Sequence, residues 1–172
     1  MALRARPARR AWWPLTRTAV AMLAALTPAR SGRAAADRAA EADVFEAVFR
    51  QQLQEHLDPT EKARGTVVCL ALDPGGAPQS PSREFMARLT GEAAARRAAE
   101  CDRRPSGAIE SMTGRPAILV TAGPIDWRAG DEAWVIVDSF RSVRSATRRR
   151  YRVVKEREGW VSLGPILIDG PP

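Results

Sequence analysis

Residues 116–124, PAILVTAGP, and residues 132–140, EAWVIVDSF, decide how this chain folds. Two further runs of the same kind follow them, YRVVKE at 151–156 and WVSLGPILI at 160–168. These runs are rich in β-branched and aromatic residues and are separated by turn residues, which is the composition of short strands. The sequence therefore predicts an antiparallel meander in the last third of the chain.

Upstream of the meander, residues 37–57 show the periodicity of an amphipathic helix. Their large apolar side chains recur at helical spacing and form one stripe; they are Val44, Phe45, Val48, Phe49, Leu53 and Leu57. Pro59 disfavours helical geometry in the residue before it, so the helix is predicted to end at Leu57 or Asp58. A stripe this wide favours a helix that lies across the meander sheet.

The patterns between the helix and the meander are shorter. Residues 66–72, TVVCLAL, are nearly all apolar and predict a strand that is buried on both faces or centrally placed. Ser80 and Pro81 resemble an N-cap followed by proline at the first helical position, so a short helix is predicted over residues 81–89. Residues 92–100 are rich in alanine but lack an apolar stripe, and residues 101–107 are interpreted as a loop.

Together these elements predict an α+β fold. The expected architecture is a long N-terminal helix packed on a curved, mostly antiparallel sheet of about five strands, with a short second helix. Cystatin-like and nuclear-transport-factor-like cone folds have this arrangement. The length of 172 residues suffices for one domain with its own core.

The formal net charge of +7 belongs to the N-terminal part of the chain. Residues 1–36 contain seven arginines and no acidic residue, so the remainder carries 20 basic and 20 acidic side chains. A remainder with no net charge gives no electrostatic indication of nucleic-acid binding, and we expect none.

The first 36 residues have the order of features found in export signals. Arginines crowd positions 4–17, the apolar run AVAMLAAL follows at 19–26, and alanines at 34–36 precede Asp37. That apolar run is too short to cross a bilayer, which needs about 20 residues. We therefore predict a signal peptide over residues 1–36 and a single exported α+β domain over residues 37–172, periplasmic or extracellular, without a transmembrane segment. Arg9 and Arg10 leave the twin-arginine and general secretory routes both open.

Two cysteines remain after the predicted cleavage, Cys69 and Cys101. An even number of cysteines in an oxidising compartment favours a disulfide. Cys69 lies within an apolar strand, where a free cysteine also serves as a small buried hydrophobe. The spacing alone does not decide between these interpretations, because it says nothing about the geometry of the two Cβ atoms.

Three groups of segments carry a resemblance to a known family. The first joins SREFMARL at 82–89 with AEC at 99–101, the second joins TGRPAILV at 113–120 with GPIDW at 123–127, and the third joins YRVV at 151–154 with GWV at 159–161. Their order resembles an uncharacterised family of small exported bacterial proteins. The resemblance implies export, and it implies no activity, cofactor or catalytic residue. Members of that family alternate valine with glutamate in the second meander strand, where this chain has Trp134 and Ile136.

Few residues point to catalysis. His56 is the only histidine, and Asp138 lies in an otherwise apolar strand, so a His–Asp dyad inside a cone is one hypothesis. The alternative is a solvent-facing histidine near a helix C-terminus. A Gly-x-Ser-x-Gly elbow, a glycine-rich phosphate loop and a spaced metal-ligand pattern are absent from the sequence. We therefore assign no catalytic, cofactor-binding or metal-binding residue.

The stretch from Arg141 to Glu158 has eight basic and two acidic residues, a net charge of +6. Arginines from Arg141 to Arg157 on an exposed hairpin would suit an acidic or anionic partner. The alternative interpretation is a solvated hairpin whose charges protect a sheet edge from strand addition.

These observations predict an exported domain that has a non-catalytic binding or structural role. One alternative is a cone-fold enzyme with a pocket between the helix and the sheet. Another is an anion-binding surface module formed by the arginine-rich hairpin. The sequence identifies no partner.

Overall fold

The computed structural model describes residues 28–166. The helices are α1 (Pro28–His56), α2 (Pro59–Ala63) and α3 (Arg83–Arg88), with a 3₁₀ turn at Ala98–Glu100. The strands are β1 (Val67–Leu72), β2 (Ala95–Arg97), β3 (Cys101–Arg104), β4 (Gly107–Glu110), β5 (Pro116–Ala129), β6 (Glu132–Phe140), β7 (Ala146–Glu156) and β8 (Gly159–Ile166). Most of the predicted signal peptide lies outside the described residues, as do the last residues of the predicted domain. Within the described part, no helix is long and apolar enough to cross a membrane.

The prediction of a sheet of about five, mostly antiparallel strands is wrong. The strands form one eight-stranded mixed sheet in the order β2-β1-β5-β6-β7-β8, and β3 and β4 pair as a hairpin whose second strand also contacts β5. Strand β1 is parallel to both of its neighbours, β2 and β5. The architecture is therefore a mixed sheet that carries helices, and it differs from a long helix on a small antiparallel cone.

The missing strands come from the segment that the sequence left irregular. Residues 95–110 supply β2, β3 and β4, which are short and polar, so they show neither an apolar run nor a clear alternation. The strands of the meander itself are antiparallel neighbours from β5 to β8, as predicted.

The helix ends follow from local chemistry. Asp58 separates α1 from α2, and its side chain accepts a hydrogen bond from the Glu61 backbone N–H at 2.8 Å. The short helix α3 starts later than predicted, because Ser82 caps it by accepting a bond from the Phe85 N–H at 3.1 Å. Ser80, the predicted cap, accepts a bond from the Ala99 N–H instead.

The main core lies between α1 and one face of the sheet, called here the inner face. The stripe of α1 packs on this face, and the predicted burial of Phe45, Phe49 and Leu53 is confirmed. Phe49 is fully buried, and its ring makes an edge contact with Phe85 of α3 at 5.9 Å between centroids. Strands β1, β5, β6 and β7 contribute Val68, Leu70, Ile118, Val120, Val135, Val137, Tyr151 and Val153 to the same core.

A second, smaller core lies on the opposite face, called here the outer face. Val67, Cys69, Ala108, Ala117 and Phe140 form it. Cys69 and Cys101 are joined by a disulfide with their Cα atoms 6.4 Å apart, which decides the question that the spacing left open. The guanidinium of Arg103 lies 4.0 Å from the centre of the Phe140 ring. The β3–β4 hairpin is therefore tied to the outer face covalently and by a cation–π contact.

Glu110 at the end of β4 holds three segments together. Its buried carboxylate accepts bonds from Arg96 at 2.7 Å, from Arg115 at 2.9 Å and from the Thr113 hydroxyl. The bonds from Arg115, Thr113 and Arg96 lower the pKa of Glu110 to about 2. Because this folded-state pKa is depressed, the stabilisation is present above the ordinary pKa of 4.5 and is lost as the pH falls through about 2.

Candidate functional site

A polar pocket of about 200 Å³ lies between the C-terminal end of α1 and the inner face of the sheet; it is called here the α1 pocket. Helix α1, strands β5 to β7 and the β6–β7 connection line it. The lining residues are Gln52, Glu55, His56, Ile118, Val137, Ser139, Arg141, Ser145, Thr147, Arg149 and Tyr151.

Two periodicities bring these side chains together. Gln52, Glu55 and His56 lie three and four residues apart, so they share one face of the last turns of α1. On the sheet, Ser139 pairs with Thr147 and Val137 pairs with Arg149. Paired residues point to the same face, and alternate residues of one strand do so as well. Thr147, Arg149 and Tyr151 of β7 therefore all belong to the inner face.

Tyr151 and Glu55 are bonded to each other in the lining of the pocket. The Tyr151 hydroxyl donates a hydrogen bond to Glu55 Oε2 at 2.8 Å, and Gln52 Nε2 donates to the same oxygen at 3.3 Å. Gln51 Nε2 donates to the other oxygen, Oε1, at 2.9 Å. Burial is the largest cause that raises the pKa of Tyr151, and the hydrogen bond to the Glu55 carboxylate is the second. The phenol therefore stays protonated and remains a donor.

His56 lies at the pocket wall with one nitrogen unused. Its Nε2 atom is buried and has no hydrogen-bond partner among the described residues. Burial is the main reason that the pKa of His56 is lowered, and the charges of Arg141 and Arg149 lower it further against the opposing effect of Glu55. The imidazole is therefore neutral at pH 7, where one ring nitrogen carries a hydrogen and the other accepts.

A buried carboxylate fixes Arg141 at the pocket rim. Glu61 accepts a bond from Arg141 Nη1 at 2.6 Å and one from the Thr66 hydroxyl at 2.6 Å. Arg64 lies 3.2 Å from the same carboxylate. The Thr66 bond is the largest cause of the lowered pKa of Glu61, and Arg141 adds to it. Arg141 is thus held in place by an ion pair with a carboxylate that it shares with Arg64, and it keeps part of its positive field at the pocket wall.

Arg149 differs from Arg141 because no described carboxylate lies within ion-pair distance of its guanidinium. It hydrogen-bonds to the Tyr151 side chain, a bond that acts to lower the pKa of that phenol. Nearby, the Ser139 and Thr147 hydroxyl oxygens lie 2.7 Å apart and bond to each other. The pocket therefore presents a cation and hydroxyl groups on the same wall.

The structure does not bring His56 and Asp138 together. Asp138 lies between Val137 and Ser139 on β6, so it points to the outer face, away from the pocket that His56 lines. There its carboxylate is 3.7 Å from Arg148. The dyad hypothesis fails because a strand alternates its side chains between two faces.

The arginine-rich stretch is divided in the same way. Arg148, Arg150 and Arg152 point to the outer face, whereas Arg149 lines the α1 pocket. Most of the stretch is β7, which pairs with β6 on one side and β8 on the other. From Arg150 to Glu156 the strand β7 is paired on both sides, so Arg150 and Arg152 do not lie on a sheet edge; no described residue of β8 pairs with β7 before Arg150.

The outer-face arginines contact neighbouring side chains of β5 and β6. Arg152 makes two bonds to Glu132 at 3.0 and 3.1 Å. The guanidiniums of Arg128 and Arg150 lie 4.1 and 5.3 Å from the centre of the Trp134 ring. Trp134 is half-buried beneath these charges, so it does not offer an open stacking platform.

Sequence reasoning missed most of the pocket. Glu55, Ser139, Thr147 and Tyr151 were not singled out, since each is an ordinary residue type for its strand or helix, and Arg149 was predicted only as one of the arginines between Arg141 and Arg157. Once residues 146–156 are taken as a strand, alternation places Thr147, Arg149 and Tyr151 on one face and Arg148, Arg150 and Arg152 on the other. This alternation is the signal in the sequence that points to the pocket residues of β7. Among the described residues, no cluster of three or more histidine, cysteine or carboxylate side chains could hold a metal ion.

Comparisons with known protein families, with curated proteins and with solved structures found no match to this chain. The resemblance to small exported bacterial proteins stays a prediction.

Proposed function

We propose that this chain is an exported, non-catalytic binding protein that holds a small molecule in the α1 pocket. The observation that carries the proposal is the pocket itself: about 200 Å³ of space lined by polar groups, with the buried His56 Nε2 left without a partner. Buried polar atoms in native proteins nearly always have a hydrogen-bond partner. A bound molecule would supply one here.

The bonding of the pocket residues favours binding over catalysis. The hydroxyls of Ser139 and Thr147 bond to each other, and neither is bonded to His56. A nucleophilic hydroxyl requires an adjacent general base that is itself oriented by a third group. Glu55, which could orient a base, is bonded by Tyr151, Gln51 and Gln52. These contacts support a recognition site without an activated nucleophile.

Export is part of the same proposal. The Cys69–Cys101 disulfide supports it, since disulfides persist in oxidising compartments. We expect protein from the native host to have the mass of a chain that begins near Asp37. Mass spectrometry of the intact protein checks this, and a full-length product confined to the cytoplasm would contradict export.

Filling the pocket should abolish binding. Thr147→Trp places an indole on the pocket wall at an exposed position, so we expect the fold to persist. Its matched control is Arg148→Trp, the next residue of β7, also exposed, which points to the outer face. The measurement is a ¹H–¹⁵N NMR titration with phosphate, acetate, glycerol and methylammonium as separate probes.

For the wild type and Arg148→Trp, at least one probe should shift the resonances of pocket residues in a saturable manner. For Thr147→Trp, we expect that saturable shift to be lost while the remaining spectrum stays folded. Equal titrations of both variants, or no saturable response of the wild type to any probe, would refute the pocket as a binding site.

The outer face is a second candidate site. Arg150 lies beside the Trp134 ring and has no described carboxylate within ion-pair distance, which favours an anionic partner there. Arg148 and Arg152 on the same face lie next to Asp138 and Glu132. These carboxylates cancel much of the positive field, so the outer face ranks below the α1 pocket.

A further inference from the structure

The α1 pocket contains a guanidinium that forms no ion pair with a described carboxylate. Arg141 forms an ion pair with Glu61 at 2.6 Å, but Arg149 has no described carboxylate within ion-pair distance. Glu55 is the acidic residue among those lining the pocket, and both of its oxygens already accept hydrogen bonds. A guanidinium retains several donors beyond its bond to Tyr151, and its planar fork matches a carboxylate or a phosphate.

Neutral donors surround this cation. When one hydroxyl of the Ser139–Thr147 pair donates to the other, the accepting hydroxyl keeps its own hydrogen for another partner. The third hydroxyl on the lining is that of Ser145. The neutral imidazole of His56 has the buried Nε2, which acts as a donor in one of its two tautomers. Hydrogen-bond donors therefore converge on the space beside Arg149.

The charged side chains that line the pocket are two arginines, Arg141 and Arg149, and one glutamate, Glu55. Burial is the main cause that lowers the pKa of His56; Glu55 opposes it, and Arg141 and Arg149 each lower it by less than Glu55 raises it. A cationic ligand would face two guanidiniums against one carboxylate, that of Glu55, whose neutral hydrogen-bond donors leave its charge in place. An anionic ligand would instead gain from both charges and from the neutral donors.

The size of the pocket limits the ligand. Its volume is about 200 Å³. One water molecule occupies about 30 Å³ of liquid, and pockets for drug-sized ligands begin at about 300 Å³. The space suits a small anion with a few accompanying waters, and it is too small for a nucleotide.

We propose that the α1 pocket binds a small oxyanion, a carboxylate or a phosphate, with Arg149 as its principal cationic contact and the Ser139–Thr147 hydroxyls and His56 as neutral donors. This assignment rests on the proposed function of the pocket and names the chemistry of its ligand.

The test compares Arg149→Gln with Arg150→Gln. The two arginines are neighbours on β7 and point to opposite faces, so each substitution removes one positive charge from the same strand. The purified domain is titrated with sodium phosphate and with sodium acetate at constant ionic strength, with methylammonium chloride as the cationic probe. Pocket resonances report binding, and the thermal midpoint of each variant verifies that it is folded.

We expect Arg149→Gln to weaken binding of the preferred anion by about tenfold or more, because a hydrogen-bonded charge pair is lost. Arg150→Gln should bind like the wild type, and methylammonium should not bind. Preference for phosphate or for acetate identifies which oxyanion the site takes, and either result supports the proposal.

Other outcomes separate this proposal from the previous one. If Thr147→Trp abolishes binding but Arg149→Gln does not, the pocket binds a ligand and the oxyanion assignment is wrong. If the wild type binds methylammonium and Thr147→Trp does not, the pocket likewise binds a ligand and the oxyanion assignment is wrong. If Arg150→Gln loses anion binding while Arg149→Gln retains it, the outer face is the anion site and the pocket assignment is overturned.

Discussion

Replacement of Phe49 by alanine is expected to lower the free energy of unfolding by about 3–5 kcal/mol. Phe49 is fully buried in the main core, and its ring contacts both Phe45 and Phe85. Truncation removes the buried apolar surface of the ring and leaves a cavity that fixed neighbours on α1, α3 and the sheet cannot fill. The lost aromatic contacts add to the lost burial.

Urea titration of the wild type and of Phe49→Ala measures this difference. Gln54→Ala is a suitable control, because Gln54 lies on the exposed side of the same helix and its removal should change stability by less than about 0.5 kcal/mol. A loss of less than about 1 kcal/mol for Phe49→Ala would mean that α1 does not pack on the inner face as described.

Replacing both Cys69 and Cys101 by alanine is expected to cost about 3–4 kcal/mol. The disulfide closes a loop with a sequence separation of 32 residues. In the chain-entropy treatment, a crosslink of this length removes that amount of free energy from the unfolded state. The β3–β4 hairpin should suffer most, because Cys101 is the first residue of β3 and the disulfide is the covalent link of the hairpin to β1.

The check is a pair of urea titrations, each with and without a reducing agent. Reduction should destabilise the wild type and leave the double alanine variant unchanged. If reduction and the double substitution both leave the unfolding midpoint where it was, the bond between Cys69 and Cys101 is not a stabilising element of the native protein.

Local patterns in the sequence predicted the pieces of this fold better than their assembly. The stripe of α1 and the strands from β5 to β8 follow from apolar spacing and turn residues, which are visible over a few positions. The parallel pairing of β1 with β5 joins Val68 to Ile118, and no local pattern encodes a contact between segments so far apart. The apolar run of β1 indicated a central strand without specifying its neighbours.

For the site as well, the sequence indicated single residues better than it indicated which of them come together. His56 drew attention as the only histidine, and it does line the pocket. Asp138 drew attention because it is an acid in an apolar strand, and it points to the other face. Arg149 was one arginine in a dense run, and its position became distinctive only when the register with Val137 placed it on the inner face. Residue type suggests chemistry, but the register decides which residues meet.

The position of β1 in the sheet has a consequence for how the chain is made. Strand β1 is synthesised early, yet β2 and β5, which flank it, come later in the sequence. Until residue 122 has emerged, the mostly apolar VVCLAL segment lacks the β5 backbone that pairs with it through Ala122. A growing chain therefore carries β1 without its β5 partner while about 50 further residues are synthesised, and unpaired apolar strands attract other strands. We expect the β5 side of β1 to be paired only after residue 122 has been synthesised.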